Sequence, residues 1–265
     1  MLRRVLAGLG LRLVREPAYQ KLKKAVGASD DLDFLFALEP DRIIEVMNLM
    51  EISRGQLRQD ILAMMYSGNK NGGFFVEFGA TDGLEKSNTF MLERHFGWKG
   101  ILAEPNRSWL SALRENRRCV IDERCVWNVD GDHLPFIECA DQELATVEAK
   151  ATRDLHHKSR RPTARYDVPT VTLTTLLKEH SAPDYIDYLS IDTEGSESEI
   201  VASFDWTSKR FGFISIEHNR QPGSEAFIDN ALESAGYRRV GHSVSKFDAW
   251  FVGPTVSEKV LKNDL

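Results

Sequence analysis

Acidic side chains end two short apolar segments, where they could hold a ligand. FFVEFG carries Glu77 near its end, and GILAEPN ends its apolar run at Glu104. Carboxyl ends of neighbouring parallel strands meet at one edge of an open α/β sheet, which is where such folds bind ligands. We therefore expect both carboxylates to face one binding site, rather than merely to cap the helices that follow them.

The glycine spacing in VEFGATDG, the turn after the first segment, indicates which class of ligand the site binds. Gly79 and Gly83 are spaced G-x-x-x-G, which is not the G-x-G-x-x-G of dinucleotide-binding turns. Glycine lets a backbone approach a ligand closely, and the N-terminus of the next helix carries a positive dipole. An acid before this turn favours a ligand with a cationic amino acid portion. Glu77 would then hold an ammonium group directly or through water, and Glu104 would accept hydrogen bonds from ribose hydroxyls.

A second acidic cluster follows two later apolar segments. IDYLSIDTEGSESE runs into Asp192 and Glu194, and FGFISIEHN ends in Glu217, His218 and Asn219. The sequence leaves two uses open. Asp192, Glu217 and His218 could bind Mg²⁺ or Mn²⁺, which would lower the pKa of a coordinated hydroxyl. Without a metal, His218 or Asp192 would accept the hydroxyl proton, with Glu217 as a further catalytic carboxylate.

Substrate contacts are predicted around this cluster and in a charged insertion. Glu194 and Asn219 lie beside the catalytic candidates, and we expect them to contact the substrate. The chain from about 141 to 165 is charged and irregular, and it predicts an insertion over the active-site face. His157 in this insertion could contact an anionic substrate such as a sugar acid or a phosphate. The alternative is a solvated charged loop.

Alternating strands and helices must position these residues. Residues 31–66 show apolar side chains at helical spacing, and apolar segments alternate with helical stretches from Phe74 onward. This pattern predicts an α/β protein with a doubly wound, mostly parallel sheet. YRRVGHSVS and KFDAWFVG have no helix between them and predict an antiparallel C-terminal hairpin. We divide the chain into an N-terminal helical extension, 1–66, and a Rossmann-like domain, 67–265.

Composition limits the class of protein and its location. The 265 residues carry a net charge of −6, which disfavours a nucleic-acid partner. Three cysteines without C-x-x-C spacing predict neither disulfides nor a zinc site, and a reducing cytosol suits them. The arginine-containing apolar start, MLRRVLAGLGLRLVREP, is too short to span a bilayer and lacks a signal-peptide cleavage site. We expect a cytoplasmic protein whose residues 1–16 either pack on the domain or contact the inner face of a membrane.

Several ordered motifs together resemble a known family. FFVEFGATDGLEKSNTFMLERHFGWKGILAEPN, DYLSIDTEGSESEIV, ISIEHN and SKFDAWFV are similar to the FkbM family of methyltransferases, over roughly Gln56 to Val252. QLRQD resembles the family's lead-in to its first strand.

This resemblance implies a class I methyltransferase fold, S-adenosylmethionine as donor, and O-methylation of a sugar or of a polyketide-type natural product. By position it implies donor binding by Glu77, Gly79, Asp82, Gly83 and Glu104. The family's D-x-E-G motif matches Asp192, Glu194 and Gly195. We assign Asp192 to the donor site as well. We expect a sugar hydroxyl in surface polysaccharide or glycolipid biosynthesis as the acceptor. A nicotinamide-dependent oxidoreductase and a non-catalytic scaffold are the alternatives from other classes.

Overall fold

A seven-stranded sheet carries the site residues. The structure is a computed structural model that describes residues 16–150, 160–221 and 223–262. Its strands are β1 Phe74–Phe78, β2 Lys99–Ala103, β3 Val120–Asp122, β4 Cys125–Val126, β5 His133–Cys139, β6 Thr146–Val147, β7 Pro162–Val171, β8 Tyr185–Ile191, β9 Arg210–Glu217, β10 Arg238–Val240 and β11 Asp248–Val252. The main sheet has the order β10-β11-β9-β8-β1-β2-β3. β11 is antiparallel to β9 and β10, and the other pairs are parallel, so the predicted sheet and hairpin are confirmed.

Helices cover both faces of this sheet. They are α1 Glu16–Ala37, α2 Ile43–Met50, α3 Gln59–Tyr66, α4 Phe90–Phe96, α5 Leu110–Asn116, α6 Leu173–Glu179, α7 Glu197–Ser203 and α8 Ser224–Ser234. Side chains of α1–α5 share one core with Phe75 of β1, whereas α6–α8 share the other core with Val76. Successive side chains of a strand point to opposite faces, so β1 separates the two cores.

The N-terminal helices pack directly on the sheet, which confirms the helical extension of the fold. Every residue of α3 is buried, and the Tyr66 ring stacks on Phe213 of β9 at a centroid distance of 5.4 Å. The division of the chain at residue 66 stays a prediction. Within the described ranges, no helix is both long and apolar enough to cross a membrane. All three cysteines are free thiols.

A second, four-stranded sheet corrects the expected topology. The alternating pattern predicts that the apolar segments LPFIEC and VPTVTL join the doubly wound sheet. Instead, their strands β5 and β7 pair with each other, in a sheet of the order β4-β7-β5-β6. Their own small core, which includes Phe136 and Val168, explains the separation. The edge of the main sheet is formed instead by β3, which sequence analysis did not predict. The predicted insertion contains β6 and the beginning of β7, while residues 151–159 lie outside the described ranges.

The backbone at Gly79, just after β1, lies very close to the backbone at Asp192, just after β8. The φ of Gly79 is +74°, and a Cβ atom there would lie 1.7 Å from the carbonyl oxygen of Asp192. Gly97 also has a positive φ, +65°, but a Cβ atom would meet nothing within 4 Å. We expect Gly97→Ala to lower the free energy of unfolding by about 1–2 kcal/mol, the conformational cost alone. Gly79→Ala should cost at least ~2 kcal/mol more, because backbone atoms must move apart.

Urea unfolding of both variants measures this difference. Equal losses for the two alanine variants would contradict the close contact between the strand ends.

Candidate active site

One large cavity opens at the carboxyl ends of β1, β2, β8 and β9. It contains about 1170 Å³ of empty space, counting its open mouth. A cleft at the carboxyl ends of parallel strands is the usual place for a small-molecule site in an open α/β sheet. Three regions supply its walls: the main-sheet strand ends with Glu77, Gly79, Glu104, Asp192, Glu194 and Glu217; the second sheet with Phe136, Gln142, Ala145 and Val147; and the N-terminal region with Gln56 and Gln59.

Glu77 lies in the cavity wall, but its carboxylate is largely occupied by the protein. It accepts hydrogen bonds from the Asn88 amide at 2.8 Å and from the hydroxyls of Ser87 and Thr89. Arg117 lies 3.5 Å from its Oε2 atom. An ionised carboxylate has about four acceptor positions, so these contacts leave little capacity for a direct ligand. Glu77 therefore fixes the loop from Gly79 to Thr89, and a ligand contact through water remains open to it.

The turn residues that were predicted to bind a donor divide into two groups. Gly79 lines the cavity, and its positive φ allows the close approach to Asp192. Gly83 faces helix α5 instead, because a Cβ atom would lie 2.5 Å from Leu113. The Asp82 carboxylate caps its own turn by accepting hydrogen bonds from the amides of Leu84 and Glu85. Neither Asp82 nor Gly83 is among the residues that line the cavity.

Glu104 stands at the end of β2, as the sequence predicted. Its Oε1 accepts from the Asn106 amide and its Oε2 from the Thr81 amide, each at 2.8 Å. Burial raises the pKa of Glu104 to about 7 against the lowering effect of these bonds, and the charges of Asp192 and Glu77 add to the rise. Each carboxylate oxygen keeps a second lone pair, so Glu104 can still accept hydrogen bonds from a ligand.

Asp192 begins a turn, residues 192–195, which we call the acidic turn. Glu194 at its centre has a φ of +56°, a left-handed conformation that non-glycine residues seldom adopt. Glu197 at the start of α7 holds this turn: its Oε1 accepts from the amides of Thr193 and Gly195 at 2.9 and 3.0 Å. Sequence analysis did not single out Glu197, although its place two residues after a glycine marks it as a helix-start carboxylate.

Three carboxylates converge where the acidic turn meets the end of β9. Oxygens of Asp192, Glu194 and Glu217 lie within 4.8 Å of one another. Burial raises the pKa of Asp192 to about 7 and, together with the Asp192 charge, raises the pKa of Glu217 well above its usual value. Both shifts go in the same direction, because burial and a neighbouring carboxylate each disfavour the ionised form. The cluster can hold a hard cation or accept a proton.

His218 does not join this cluster, which corrects its predicted place as a base and a metal ligand. Adjacent strand residues point to opposite sides, and Glu217 takes the side that faces the cavity. The His218 ring is buried towards α8, with its Nε2 3.8 Å from Glu225 and its Nδ1 accepting from the Arg220 amide at 3.1 Å. Burial lowers its pKa, which favours the neutral ring.

Asn219 lies beside the cavity rather than in its lining. Its Nδ2 donates to Oε2 of Glu217 at 2.7 Å, so it orients that carboxyl group, and its contact with a substrate stays a prediction. His157, the other predicted substrate contact, lies outside the described residues.

Contacts that the sequence did not predict hold the N-terminal wall of the cavity. Gln59 donates to the buried Asp248 carboxylate at 2.8 Å, which joins α3 to β11. Two consecutive residues of α1 pair with cations close in sequence to residues that line the cavity. Asp31 binds Arg58 at 2.8 Å, and Asp30 binds Lys246, which precedes the cavity-lining Phe247. Their long sequence separation left no local signal of these contacts.

Comparison with known proteins connects this site to a family. The sequence profile of the methyltransferase FkbM domain matches residues 77–239, which is more than half of the chain. Among proteins of curated function, no sequence matches significantly.

Solved structures give distant likenesses. Precorrin-6y C5,15-methyltransferase from Geobacter metallireducens has a TM-score of 0.37 and 9% identity, over 73% of this chain and 85% of that one. A TehB-like SAM-dependent methyltransferase from Corynebacterium glutamicum has a TM-score of 0.35 and 9% identity, over 80% and 96%. A SAM-dependent methyltransferase from Aquifex aeolicus has a TM-score of 0.33 and 12% identity, over 88% and 96%.

The domain match covers the donor-type turn, both strand-end acids and the acidic turn. The match favours a methyltransferase over the two alternative functions, a nicotinamide-dependent oxidoreductase and a non-catalytic scaffold. The chain therefore belongs to the FkbM domain family of methyltransferases, with a Rossmann-like, mostly parallel sheet.

Proposed function

We propose that this enzyme transfers the methyl group of S-adenosylmethionine to a hydroxyl of a sugar, in the biosynthesis of a surface polysaccharide or a glycolipid. The observation that carries the proposal is a single cavity with Glu104 in one wall and the Asp192 cluster in another. A donor and an acceptor hydroxyl can thus be held in one enclosed space, which is what direct transfer requires.

The lining of the cavity suits this donor. S-adenosylmethionine, when bound, supplies a methyl group on a positively charged sulfur. Four acidic side chains line the cavity, Glu77, Glu104, Asp192 and Glu217, and the carboxyl groups among them that are ionised favour a cationic ligand. Glu104 would hold the ribose hydroxyls, and the loop that Glu77 fixes, with Gly79, would hold the amino acid portion. Asp192 stands next to both and would face the sulfonium side.

The carboxylate cluster suits a hydroxyl acceptor. A sugar hydroxyl becomes a good nucleophile only as its proton leaves. Asp192 is partly exposed and would accept that proton. Glu217, which Asn219 holds through a hydrogen bond, would be the neighbouring carboxyl group that assists it. A hydroxyl of a polyketide-type product would meet the same chemistry, so the acceptor must be identified by experiment.

A divalent cation is the second candidate for activating the hydroxyl. Asp192, Glu194 and Glu217 offer carboxylate oxygens, the ligands that Mg²⁺ and Mn²⁺ prefer. His218, which the sequence added to this set, is not placed to contribute. We favour the metal-free route because burial raises the pKa of Asp192 to about 7, which suits a carboxylate that accepts a proton near neutral pH.

We further propose that the reaction takes place in the cytoplasm at the inner face of the membrane. The basic, apolar residues 1–16 support this, because such a segment can rest on anionic lipid. Mass spectrometry of glycan and lipid-linked sugar pools, with and without the active protein, identifies the acceptor. Methylation confined to polyketide-type products would contradict the sugar proposal.

Donor binding tests Glu104. We expect Glu104→Ala to weaken S-adenosylhomocysteine binding by about 1.5–3 kcal/mol, the range for a hydrogen bond to a charged group. Calorimetric titration measures the loss, with Glu115→Ala on the exposed face of α5 as the control. Affinity equal to wild type in a folded Glu104→Ala variant would remove this residue from the donor site.

The pH dependence of binding gives a second test of Glu104. Its pKa of about 7 means that the carboxyl is protonated at low pH and has less capacity to accept ribose hydrogen bonds. Affinity for S-adenosylhomocysteine should therefore rise as the pH increases through 7. The other titratable groups around it are Asp192, Glu77, Cys125 and Tyr166. Glu104→Gln should remove the contribution of Glu104, so an unchanged pH profile in this variant would assign the titration to one of the others.

Turnover tests the proton acceptor. Asp192→Asn should lower kcat by at least ~10²-fold, the lower range for loss of general base catalysis. His218→Gln should leave turnover per folded molecule near that of wild type, because His218 lies outside the cavity. Transfer of labelled methyl groups into a glycan extract measures both. Loss of turnover in folded His218→Gln with full turnover in Asp192→Asn would reverse the two roles.

Chelation separates the two routes. We expect turnover of the wild-type enzyme to persist in excess EDTA. Abolished turnover that Mg²⁺ or Mn²⁺ restores would establish the metal instead.

A further inference from the structure

The second sheet touches the acidic turn through a buried hydroxyl. Thr146 of β6 is 1% exposed, and its Oγ1 donates to the backbone carbonyl of Glu194 at 3.0 Å. Nearby on the same segment, Lys150 forms an ion pair with Glu199 of α7, the helix that follows the turn. The segment 142–150, which we call the roof segment, is therefore attached once to the acidic turn and once to the helix that follows it.

The roof segment also reaches the Glu104 end of the cavity. The backbone carbonyl of Gln142 accepts from Nδ2 of Asn106 at 3.3 Å, and the Asn106 amide donates to Glu104. Ala145 and Val147 line the cavity between these two ends. A ligand beneath this segment would contact it directly, while the far end of the segment holds the turn that carries the reacting carboxylates.

The acidic turn needs such support. Glu194 has a φ of +56°, and a left-handed conformation is strained for a residue with a side chain. Glu197 fixes the amides on either side of Glu194, and Thr146 fixes its carbonyl. A neutral hydrogen bond of this kind contributes a net stabilisation that opposes such strain.

We propose that Thr146 is a positioning residue through which donor binding beneath the roof segment orders the acidic turn for the acceptor. The inference rests on the proposed function, because it takes S-adenosylmethionine as the ligand of the cavity. Donor binding restricts the roof segment, and Thr146 transmits that restriction to Glu194. An acceptor then meets a turn that is already ordered, so donor and acceptor favour each other's binding.

Hydrogen exchange tests the proposal without an acceptor. Exchange of the amides in 142–150 and 193–197 is measured by mass spectrometry with and without saturating S-adenosylhomocysteine. In wild type, the ligand should slow exchange in both segments. In Thr146→Val, which keeps the shape and removes the hydroxyl, the ligand should still protect 142–150. Its protection of 193–197 should fall by about 5-fold, the factor for one net hydrogen bond.

Two further variants identify the hydroxyl as the cause. Thr146→Ser retains the hydroxyl and should restore protection of 193–197. Thr163→Val, at an exposed position of β7, should behave as wild type.

Each contrary result has a separate meaning. Full protection of 193–197 in Thr146→Val would overturn the role of Thr146. Loss of protection throughout the second sheet, with no rescue by serine, would overturn it too, because Thr146 would then be a packing residue. If S-adenosylhomocysteine releases no heat and protects no segment in wild type, the proposed donor is wrong, and the inference falls with it.

Discussion

The concentration of carboxyl groups at the ends of parallel strands is the constraint on which the rest of this site depends. Glu77, Glu104, Asp192 and Glu217 all lie around one cavity, and burial together with neighbouring negative charge raises the pKa of Glu104, Asp192 and Glu217. Hydrogen-bond donors stabilise these carboxylates. Glu77 is held by several donors and by Arg117, Glu104 accepts from two backbone amides, and Glu217 accepts from Asn219. Charge that remains is available to a cationic ligand.

The carboxylates of this site fall into two groups: some fix the backbone around the cavity, and others can contact a substrate. Glu197 and Asp248 are also buried there, but each has its own donors: Thr193 and Gly195 for Glu197, Gln59 and Trp250 for Asp248. Such groups fix backbone turns and strand ends. Only the carboxylates that keep capacity towards the cavity can exchange a hydrogen bond or a proton with a substrate.

Two layers outside the main sheet complete the cavity. The second sheet supplies apolar wall residues, and Thr146 donates a hydrogen bond to the acidic turn. In the N-terminal region, α1 pairs through Asp30 and Asp31 with Lys246 and Arg58. Surface ion pairs are individually weak, so these two act mainly by fixing where the loops lie. The strand ends alone would leave the site open on both sides.

The sequence by itself determined the alternation of strands and helices, the antiparallel hairpin, and which acids end which strands. These are local properties: an apolar run followed by a turn marks a buried strand, and the residue after the run must lie at the sheet edge. Glu104, Asp192 and Glu217 were located this way. The family motifs added the donor and the class of reaction, which composition and spacing do not contain.

Only the tertiary structure decided which side chains face the cavity and which are already occupied. His218 and Glu217 are neighbours in the chain, yet the strand sends them to opposite sides, and Glu194 joins the cluster only because its left-handed turn brings it back. Gly79 faces the Asp192 carbonyl, and β5 pairs with β7 rather than with the main sheet. Each of these results depends on contacts between residues far apart in the chain, and such pairings leave no trace in a local hydrophobic pattern.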